Sequence, residues 1–493
     1  MRGDGFGATL RAEWTKLRTV RRWVLTLLCS GILIVMIGLL VSSSSGSDAN
    51  QYPNFVVGPD GQPVVDEFEF AHQTMSGDGT ITARVDKLED SGTDASAGLI
   101  VKDGLTSGSR YVALRVTPKD GVHLESDYMT DVRGGDRTAP IWLRLTRQGS
   151  VITGYESADG SSWTKVGHVT AAKLPRDVEV GMFVNSAPKV IIRRSAGSTA
   201  VGEEGTRSTA TFDNVRLDTA ATGPWEADSV QRPRTGPKET GDESGSAGPP
   251  LPGVKVAGVV ERDGTFTITG GGQIKPNPPD DDVVSIALFG VLPGLMALAA
   301  VGVLFVTSEY RKDMIRTTFA ANPRRGRTLA AKAIVIGSAA FVMTLLGGGV
   351  VLLAAQPVLQ EHGFAPPAYP EYSLTDPPVL RALLLTSLFV AILTVFAMAL
   401  GTVLRHSATA ITTVVVLIVV PVILSSILPL SIGRWVMQLT PAGGLATWRA
   451  KPPTTTLADP WSMIGPAAGL TVVSVYAAVT LAIAWWLLRR RDA

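Results

Sequence analysis

Six long apolar runs limit the folds open to this chain more strongly than any other feature. A helix needs roughly 20 residues to cross the hydrocarbon core of a bilayer, and each run is about that long. The chain also has 51 glycines and 31 prolines among its 493 residues, which require extensive loop and β structure. The sequence therefore predicts six transmembrane helices together with a β-rich region. The runs lie near 23–42, 283–306, 333–355, 382–404, 408–430 and 463–488.

Lysine and arginine mark alternate connections between these runs. They are concentrated in the N-terminal flank, the link 307–332, the turn 405–407 and the last residues, 489–491. Because cytoplasmic connections carry the excess of positive charge, this pattern predicts both termini in the cytosol and residues 43–282 outside the plasma membrane. A secretory signal peptide is the alternative for the first run, although its apolar core exceeds the usual length of roughly 7–15 residues.

Charge and short motifs exclude several classes of protein. A net charge of +2 without a broad basic face predicts no nucleic-acid partner. Cys29 is the only cysteine, so no disulfide can form within the chain. Ionisable residues are almost absent between the flanks of the apolar runs, which predicts neither a proton relay nor a buried ion pair there. The common hydrolase, zinc-protease and Cys-x-x-Cys motifs do not occur, so the sequence predicts no catalytic residue, no metal site and no enzyme activity.

The β-rich region is predicted at residues 46–218. Apolar and polar residues alternate over 80–85, 111–116, 141–145 and 178–184, which is typical of half-buried antiparallel strands packed as a sandwich. An Asp-Gly pair at 159–160 predicts a hairpin turn.

The order of these segments resembles the concanavalin A-like, laminin-G-like jelly-roll modules. The segments are Ala97-Gly-Leu-Ile-Val101, Tyr111-Val-Ala-Leu, Trp142-Leu-Arg-Leu, the turn ending at Trp163, Val180-Gly-Met-Phe-Val184 and Ala210-Thr-Phe-Asp-Asn-Val215. The resemblance implies an all-β jelly roll inserted between the first two transmembrane helices. It leaves ligand binding open, because the sites of such modules lie on variable loops.

The β-rich region contains candidate glycan contacts and candidate calcium ligands, and each set also has a purely structural interpretation. Trp142 and Trp163 are candidate glycan contacts, but tryptophans in a strand or after a hairpin turn also serve packing. Glu125, Asp127 and Asp131 are candidate calcium ligands, but they lack regular spacing and fit a solvated acidic edge as well.

Residues 219–282 are predicted to be a linker followed by a short hairpin. The stretch 219–252 is rich in Pro, Gly, Ser, Asp and Glu, a composition that buries too little apolar surface to fold alone. Alternation over 254–260 and 264–269 predicts the two strands of the hairpin before the helical domain, 283–493, begins.

The segment 308–321 is predicted to be a short amphipathic helix. Met314, Ile315, Thr318 and Phe319 form one apolar stripe, and basic residues occupy the other side. The following Asn322-Pro323 should end the helix. Such a helix fits either the groove of a partner protein or the surface of an anionic membrane.

This segment resembles the coupling region of actinobacterial ABC type 2 exporter permeases. The resemblance rests on Glu-Tyr-Arg at 309–311, Ile-Arg-Thr-Thr at 315–318 and Ala331-Lys332. The N-terminal Ala12-Glu-Trp-Thr-Lys-Leu-Arg18 is likewise similar to their membrane-surface helix, and the likeness covers about 1–45 and 283–493. The large loop after the first apolar run and Lys312-Asp313 depart from the pattern.

The resemblance implies a permease subunit of an ABC exporter, located in the cell membrane and paired with a second permease copy. A separate ATPase subunit would contact the coupling residues Glu309, Tyr310, Arg311, Met314, Ile315, Arg316 and Phe319. The N-terminal membrane-surface helix would present Glu13, Trp14, Lys16 and Arg18.

Nucleotide binding is not expected in this chain. No Gly-x-x-x-x-Gly-Lys-Ser/Thr loop occurs, so ATP-Mg would bind to the partner ATPase and no cofactor to this chain. The alternative function is a non-transporting, membrane-anchored lectin-like receptor or cell-wall-binding protein, with cell-wall glycan as its ligand.

Overall fold

A β-sandwich and a set of long apolar helices make up the protein. The computed structural model describes residues 5–46, 56–89, 94–195, 198–219, 223–231, 256–279, 281–311, 325–452 and 464–490. The sandwich follows the first two helices along the chain, and the other helices follow the sandwich. The β-rich region and the long apolar helices that the sequence predicts are both present.

Among the residues that the structure describes, six helical spans are long and apolar enough to cross a membrane, the number that the sequence predicts. One of them, Val283–Tyr310, consists of two helices separated by a break at Phe289 and Gly290. These spans are compatible with a multi-pass membrane protein. The helices are α1 (Phe6–Thr19), α2 (Arg21–Ser44), α3 (Val283–Leu288), α4 (Val291–Arg311), α5 (Arg325–Glu361), α6 (Pro377–Leu404), α7 (Ser407–Ile427), α8 (Leu430–Leu439) and α9 (Pro466–Arg490).

Helix α6 lies at the centre of the bundle, where it packs against α4, α5 and α9. A buried 3-10 helix, Pro441–Trp448, also packs against α6 and α9. The break between α3 and α4 allows a close approach to α2. A side chain at Gly290 would collide with the backbone of Ile34 and Gly38, so glycine is required there.

The sandwich consists of two seven-stranded antiparallel sheets. The strands are β1 (Val64–Asp66), β2 (Phe68–Ser76), β3 (Gly79–Leu88), β4 (Ala95–Lys102), β5 (Tyr111–Thr117), β6 (Gly121–Ser126), β7 (Thr130–Arg133), β8 (Ile141–Gln148), β9 (Val151–Ser157), β10 (Thr164–Thr170), β11 (Asp177–Ser186), β12 (Lys189–Ser195), β13 (Ser198–Glu204), β14 (Ser208–Thr219), β15 (Glu226–Val230), β16 (Gly258–Arg262), β17 (Thr265–Gly270) and β18 (Ile274–Pro276). Sheet I has the order β15-β2-β11-β4-β5-β6-β7, and sheet II has the order β10-β9-β8-β3-β14-β17-β16.

Alternating side chains of both sheets form the main core of the sandwich. Leu99 and Met182 of sheet I meet Leu143 and Phe212 of sheet II, and all four are fully buried. The four alternating runs predicted as strands lie in β3, β5, β8 and β11, and the predicted Asp-Gly turn joins β9 to β10. Alternation of side chains across the strand explains why these segments were recognisable.

The sheets extend beyond the predicted boundary at residue 218. Strand β15 lies within the stretch predicted to be linker, and it pairs with β2 at the edge of sheet I. The predicted hairpin is present as β16 and β17, but β17 pairs with β14 and so belongs to sheet II. Strand β15 escaped recognition because four of its five residues are exposed, which leaves no apolar alternation. The predicted linker residues 232–252 lie outside the described residues.

Candidate functional site

One end of the helix bundle collects the four basic connections. The guanidinium of Arg405, which follows α6, lies 5.2 Å from the ring centroid of Tyr310 near the end of α4. Arg325, at the start of α5, donates a hydrogen bond from Nη1 to the carbonyl of Leu488 in α9, at 2.6 Å. The ends of α4, α5, α6 and α9 therefore meet at this end of the bundle.

Helix α1 joins the same end through an ion cluster of four residues, Glu13, Lys16, Glu309 and Lys332. The Lys332 ammonium donates to Glu13 Oε2 at 2.9 Å and to Glu309 Oε1 at 2.7 Å. Lys16 donates to the same oxygen of Glu309. Two carboxylates and two ammonium groups thus link α1, α4 and α5, with no net charge.

Three members of the ion cluster are almost completely buried, and the fourth, Lys16, is partly exposed. The Glu309 side chain is 1% exposed, and those of Glu13 and Lys332 are also buried. The Lys332 ammonium lies 5.1 Å from the ring centroid of Phe305, which adds a cation–π contact. Burial, followed by the charge of Lys332, lowers the pKa of Lys16 to about 8. At neutral pH Lys16 therefore remains mostly charged and can pair with Glu309.

Helical periodicity explains how α1 reaches the ion cluster. Glu13 and Leu17 are four residues apart and both are buried, so they share the face of α1 that packs on the bundle. Trp14 is 48% exposed, and Arg18 is also exposed, so both residues lie on the opposite side. Val20 has an extended backbone that ends α1 before α2 begins.

A small cavity adjoins the ion cluster. Glu309 Oε2 and Thr328 Oγ1 are buried and have no hydrogen-bond partner among the described residues. Both residues line a cavity of about 20 Å³ that also touches Lys332 and Thr402. This volume has room for one water molecule, which could bridge the two oxygens. The arrangement is suited to holding the helices together.

The structure brings together part of the predicted coupling set. Glu309 binds Lys16 of the N-terminal motif directly and is linked to Glu13 through Lys332, so the two motifs meet, while the Tyr310 ring lies against Arg405. Arg311 is the last residue of α4. The remaining predicted coupling residues lie outside the described residues: Met314, Ile315, Arg316 and Phe319.

The pairing of Lys332 was not identified from the sequence, although the residue belongs to the motif Ala331-Lys332. Lys332 and Glu309 both lie in the basic link 307–332, outside the apolar runs for which no buried ion pair is expected, and they bind each other there. The interacting residues are far apart along the chain, which is why charge spacing did not reveal them. The available signal was the motif Ala331-Lys332, which places a cation at the boundary of an apolar run. Because Glu309 is buried and paired within the chain, it has no exposed surface to offer a partner in this conformation.

The candidate glycan contacts are engaged in packing. The guanidinium of Arg144 lies 3.8 Å from the ring centroid of Trp163 and covers it. The Trp142 ring lies directly against Gly160 in the β9–β10 turn. Both rings therefore take part in hairpin packing, the structural alternative that the sequence left open.

The candidate calcium ligands do not form a shared site. Each carboxylate instead has its own basic partner. Glu125 binds Arg115, Asp127 binds Arg110, and Asp131 binds His123.

Comparisons with known proteins give no family. No protein family matches the chain, and no curated protein matches it. A functionally unknown protein from Saccharomyces cerevisiae is 16% identical, with a TM-score of 0.22 over 30% of this chain and 74% of that one. A mutant of the GH43 protein BlXynB from Bacillus licheniformis is 15% identical, with a TM-score of 0.21 over 29% of this chain and 27% of that one. Scytalido-glutamic peptidase is 8% identical, with a TM-score of 0.24 over 43% of this chain and 100% of that one. Likenesses this low carry no argument about fold or function.

Proposed function

We propose that this protein is the membrane-spanning permease subunit of an ABC exporter. The observation that carries the proposal is the ion cluster, because it joins the two segments that resemble such permeases. Glu13 and Lys16 come from the N-terminal motif, whereas Glu309 lies near the start of the segment expected to couple to an ATPase and Lys332 follows that segment. Because the ion cluster links α1, α4 and α5, a displacement of residues 312–324 by a partner would be transmitted to all three helices.

The proposed topology has six crossings with both termini in the cytosol. Its support is the chemistry of the two ends of the bundle. Arg325 and Arg405 belong to the basic end, as described above. At the other end the carboxylate of Asp282 accepts hydrogen bonds from the backbone of Ala450 and Lys451, at 2.8 and 2.9 Å. Retention of positive charge in the cytosol then puts the sandwich, a concanavalin A-like jelly roll in this proposal, outside the cell.

Energy for transport would come from a partner subunit. An ATPase that docks on residues 308–321 would move α4, and Lys332 would carry that movement to α5 and α1. The ion cluster favours concerted movement, because separating one member leaves a charge buried without its partner, at a cost of roughly 3–5 kcal/mol. Glu309 acts in this scheme through Lys16 and Lys332, and not by touching the ATPase.

The surface of α2 suits the two other proposed partners, lipid and a second permease copy. Leu25, Leu28, Ile32, Met36 and Leu40 recur at helical spacing and are each about half exposed or more. Such a stripe would be unfavourable in water, and it is satisfied by acyl chains or by the matching helix of another copy.

Co-purification tests the proposal. Full-length protein extracted from its native membranes is expected to bring down a subunit with a P-loop ATPase sequence, identified by mass spectrometry. Exchanging the apolar stripe of the coupling segment, with Met314→Asp and Phe319→Asp together, should release that subunit. Met129→Asp provides the control, since Met129 is a 67% exposed methionine on the sandwich. Recovery of no ATPase, or equal recovery with the double variant, would contradict the proposal.

A further inference from the structure

We infer that the outer edge of sheet I carries a binding site for a divalent transition-metal cation, for which Zn²⁺ is the natural probe. The site is formed by His72 of β2 with Glu226 and Asp228 of β15. One ligand atom from each residue lies within 4.8 Å of the others. Tetrahedral zinc with bonds of about 2.0–2.1 Å brings its ligand atoms to about 3.4 Å from one another, so a small closure of the exposed carboxylates suffices.

Strand register brings these three side chains together. Strand β15 pairs with β2 so that Glu226 stands directly opposite His72. Asp228 follows two residues later, and alternation along a strand directs both carboxylates to the same face of the sheet. The imidazole Nε2 already lies 3.1 Å from Asp228 Oδ2, close to the spacing of two zinc ligands.

The surroundings of His72 prepare its ring to bind a metal. The His72 side chain is 3% exposed and its ring stacks on Phe70, with centroids 4.7 Å apart. On the other side, Nδ1 lies 2.7 Å from Glu179 Oε2, whose second oxygen accepts a hydrogen bond from Thr74. A carboxylate that accepts a hydrogen bond from Nδ1–H directs the Nε2 lone pair at the metal, which is how histidine ligands are usually oriented.

The contact between Nε2 of His72 and Asp228 needs a cation between its two atoms, which is either a second proton on the imidazole or a metal ion. Glu226, directly opposite His72, supplies a third ligand atom. A proton on Nε2 would leave that atom unused, whereas a metal ion accepts electron pairs from all three atoms. An imidazole nitrogen with two carboxylates suits zinc better than calcium, which prefers oxygen ligands only.

Bound metal would fasten strand β15 to the sandwich. This strand has only β2 as a partner within sheet I, and four of its five residues are exposed. The metal would add a crosslink between the edge strand and the buried strand β2. The inference is independent of transport, because it rests on the sandwich alone.

Zinc titration of the purified full-length protein tests the site. We expect one Zn²⁺ per chain by elemental analysis and isothermal titration, and binding weakened roughly 10-fold or more by Glu226→Gln or Asp228→Asn. Both residues are exposed, so these variants should fold. Glu179→Gln should weaken binding by about 10–100-fold, as expected for a carboxylate that orients a ligating histidine.

His123→Gln provides the matched control. His123 is another histidine of sheet I with a carboxylate on Nδ1, Asp131 at 2.8 Å, but its Nε2 lies near a backbone carbonyl and not a second carboxylate. We expect this variant to bind zinc like the parent protein. Absence of stoichiometric zinc binding, or binding that Glu226→Gln and Asp228→Asn leave unchanged, would overturn the inference.

Discussion

Replacing Lys332 by methionine is expected to lower the free energy of unfolding of the helix bundle by roughly 3–5 kcal/mol, because it leaves buried carboxylates without their shared cation. Lys332 binds both Glu13 and Glu309, and all three side chains are less than 10% exposed. Lys16 alone cannot compensate both carboxylates. Thermal unfolding of the full-length protein in detergent, followed by the loss of helical circular dichroism, measures the effect.

Two further variants distinguish the loss of the ion cluster from the mere removal of a positive charge as the cause of lower stability. Arg11→Met removes an exposed cation from α1 and is expected to change the free energy of unfolding by no more than about 0.5 kcal/mol. Lys332→Met combined with Glu309→Met leaves Glu13 and Lys16, one charge of each sign, and should recover much of the loss. Wild-type stability of Lys332→Met, or a double variant no more stable than the single one, would show that the ion cluster does not hold the helices.

Replacing Lys102 by methionine is expected to destabilise the sandwich by a similar amount, roughly 3–5 kcal/mol. The Lys102 and Asp66 side chains are both 0% exposed, and their charged atoms lie 2.6 Å apart. Burial lowers the pKa of Lys102, and the charge of Asp66 opposes that shift. Without the lysine, the Asp66 carboxylate retains the backbone N–H of Gly108 at 2.8 Å as its other donor. The midpoint temperature for unfolding of the sandwich, followed by the circular dichroism of its β-strands, should fall by roughly 6–20 °C.

Lys87→Met is the matched control for Lys102→Met. Lys87 pairs with Glu89 at 3.4 Å, but its side chain is 68% exposed, so the pair contributes at most about 1 kcal/mol. Asp66→Asn combined with Lys102→Met should recover part of the loss, because the amide still accepts from Gly108 and carries no charge. If Lys87→Met and Lys102→Met unfold at the same midpoint temperature, the buried pair of Lys102 with Asp66 does not stabilise the sandwich.

Local patterns predicted most of the fold. The six apolar runs and the alternating strands are properties of consecutive residues, so each could be recognised without knowing its neighbours in space. Strand β15 could not, since it forms by pairing with β2 and has almost no apolar residues of its own. The C-terminal boundary of the sandwich therefore depends on pairing between strands that are distant in the sequence, and local composition does not reveal such pairing.

The site was predicted only in part, for a related reason. The motifs containing Glu13, Lys16 and Glu309 were selected by their resemblance to a family, with no indication that they touch. Their contacts join residues about 300 positions apart, as Lys332 with Glu13 illustrates. The buried pair of Lys102 with Asp66 was missed because each residue alone looks like an ordinary polar residue at the end of a strand.

Accessibility labelling tests the proposed membrane topology most directly. Cys29→Ala gives a cysteine-free chain, into which Ser161→Cys in the sandwich and Ala408→Cys beside Arg405 are introduced separately; both positions are exposed. With a membrane-impermeant maleimide on intact cells, the proposed topology predicts that Ser161→Cys is labelled and that Ala408→Cys is labelled only after the membrane is permeabilised. Labelling of both positions in intact cells would contradict it.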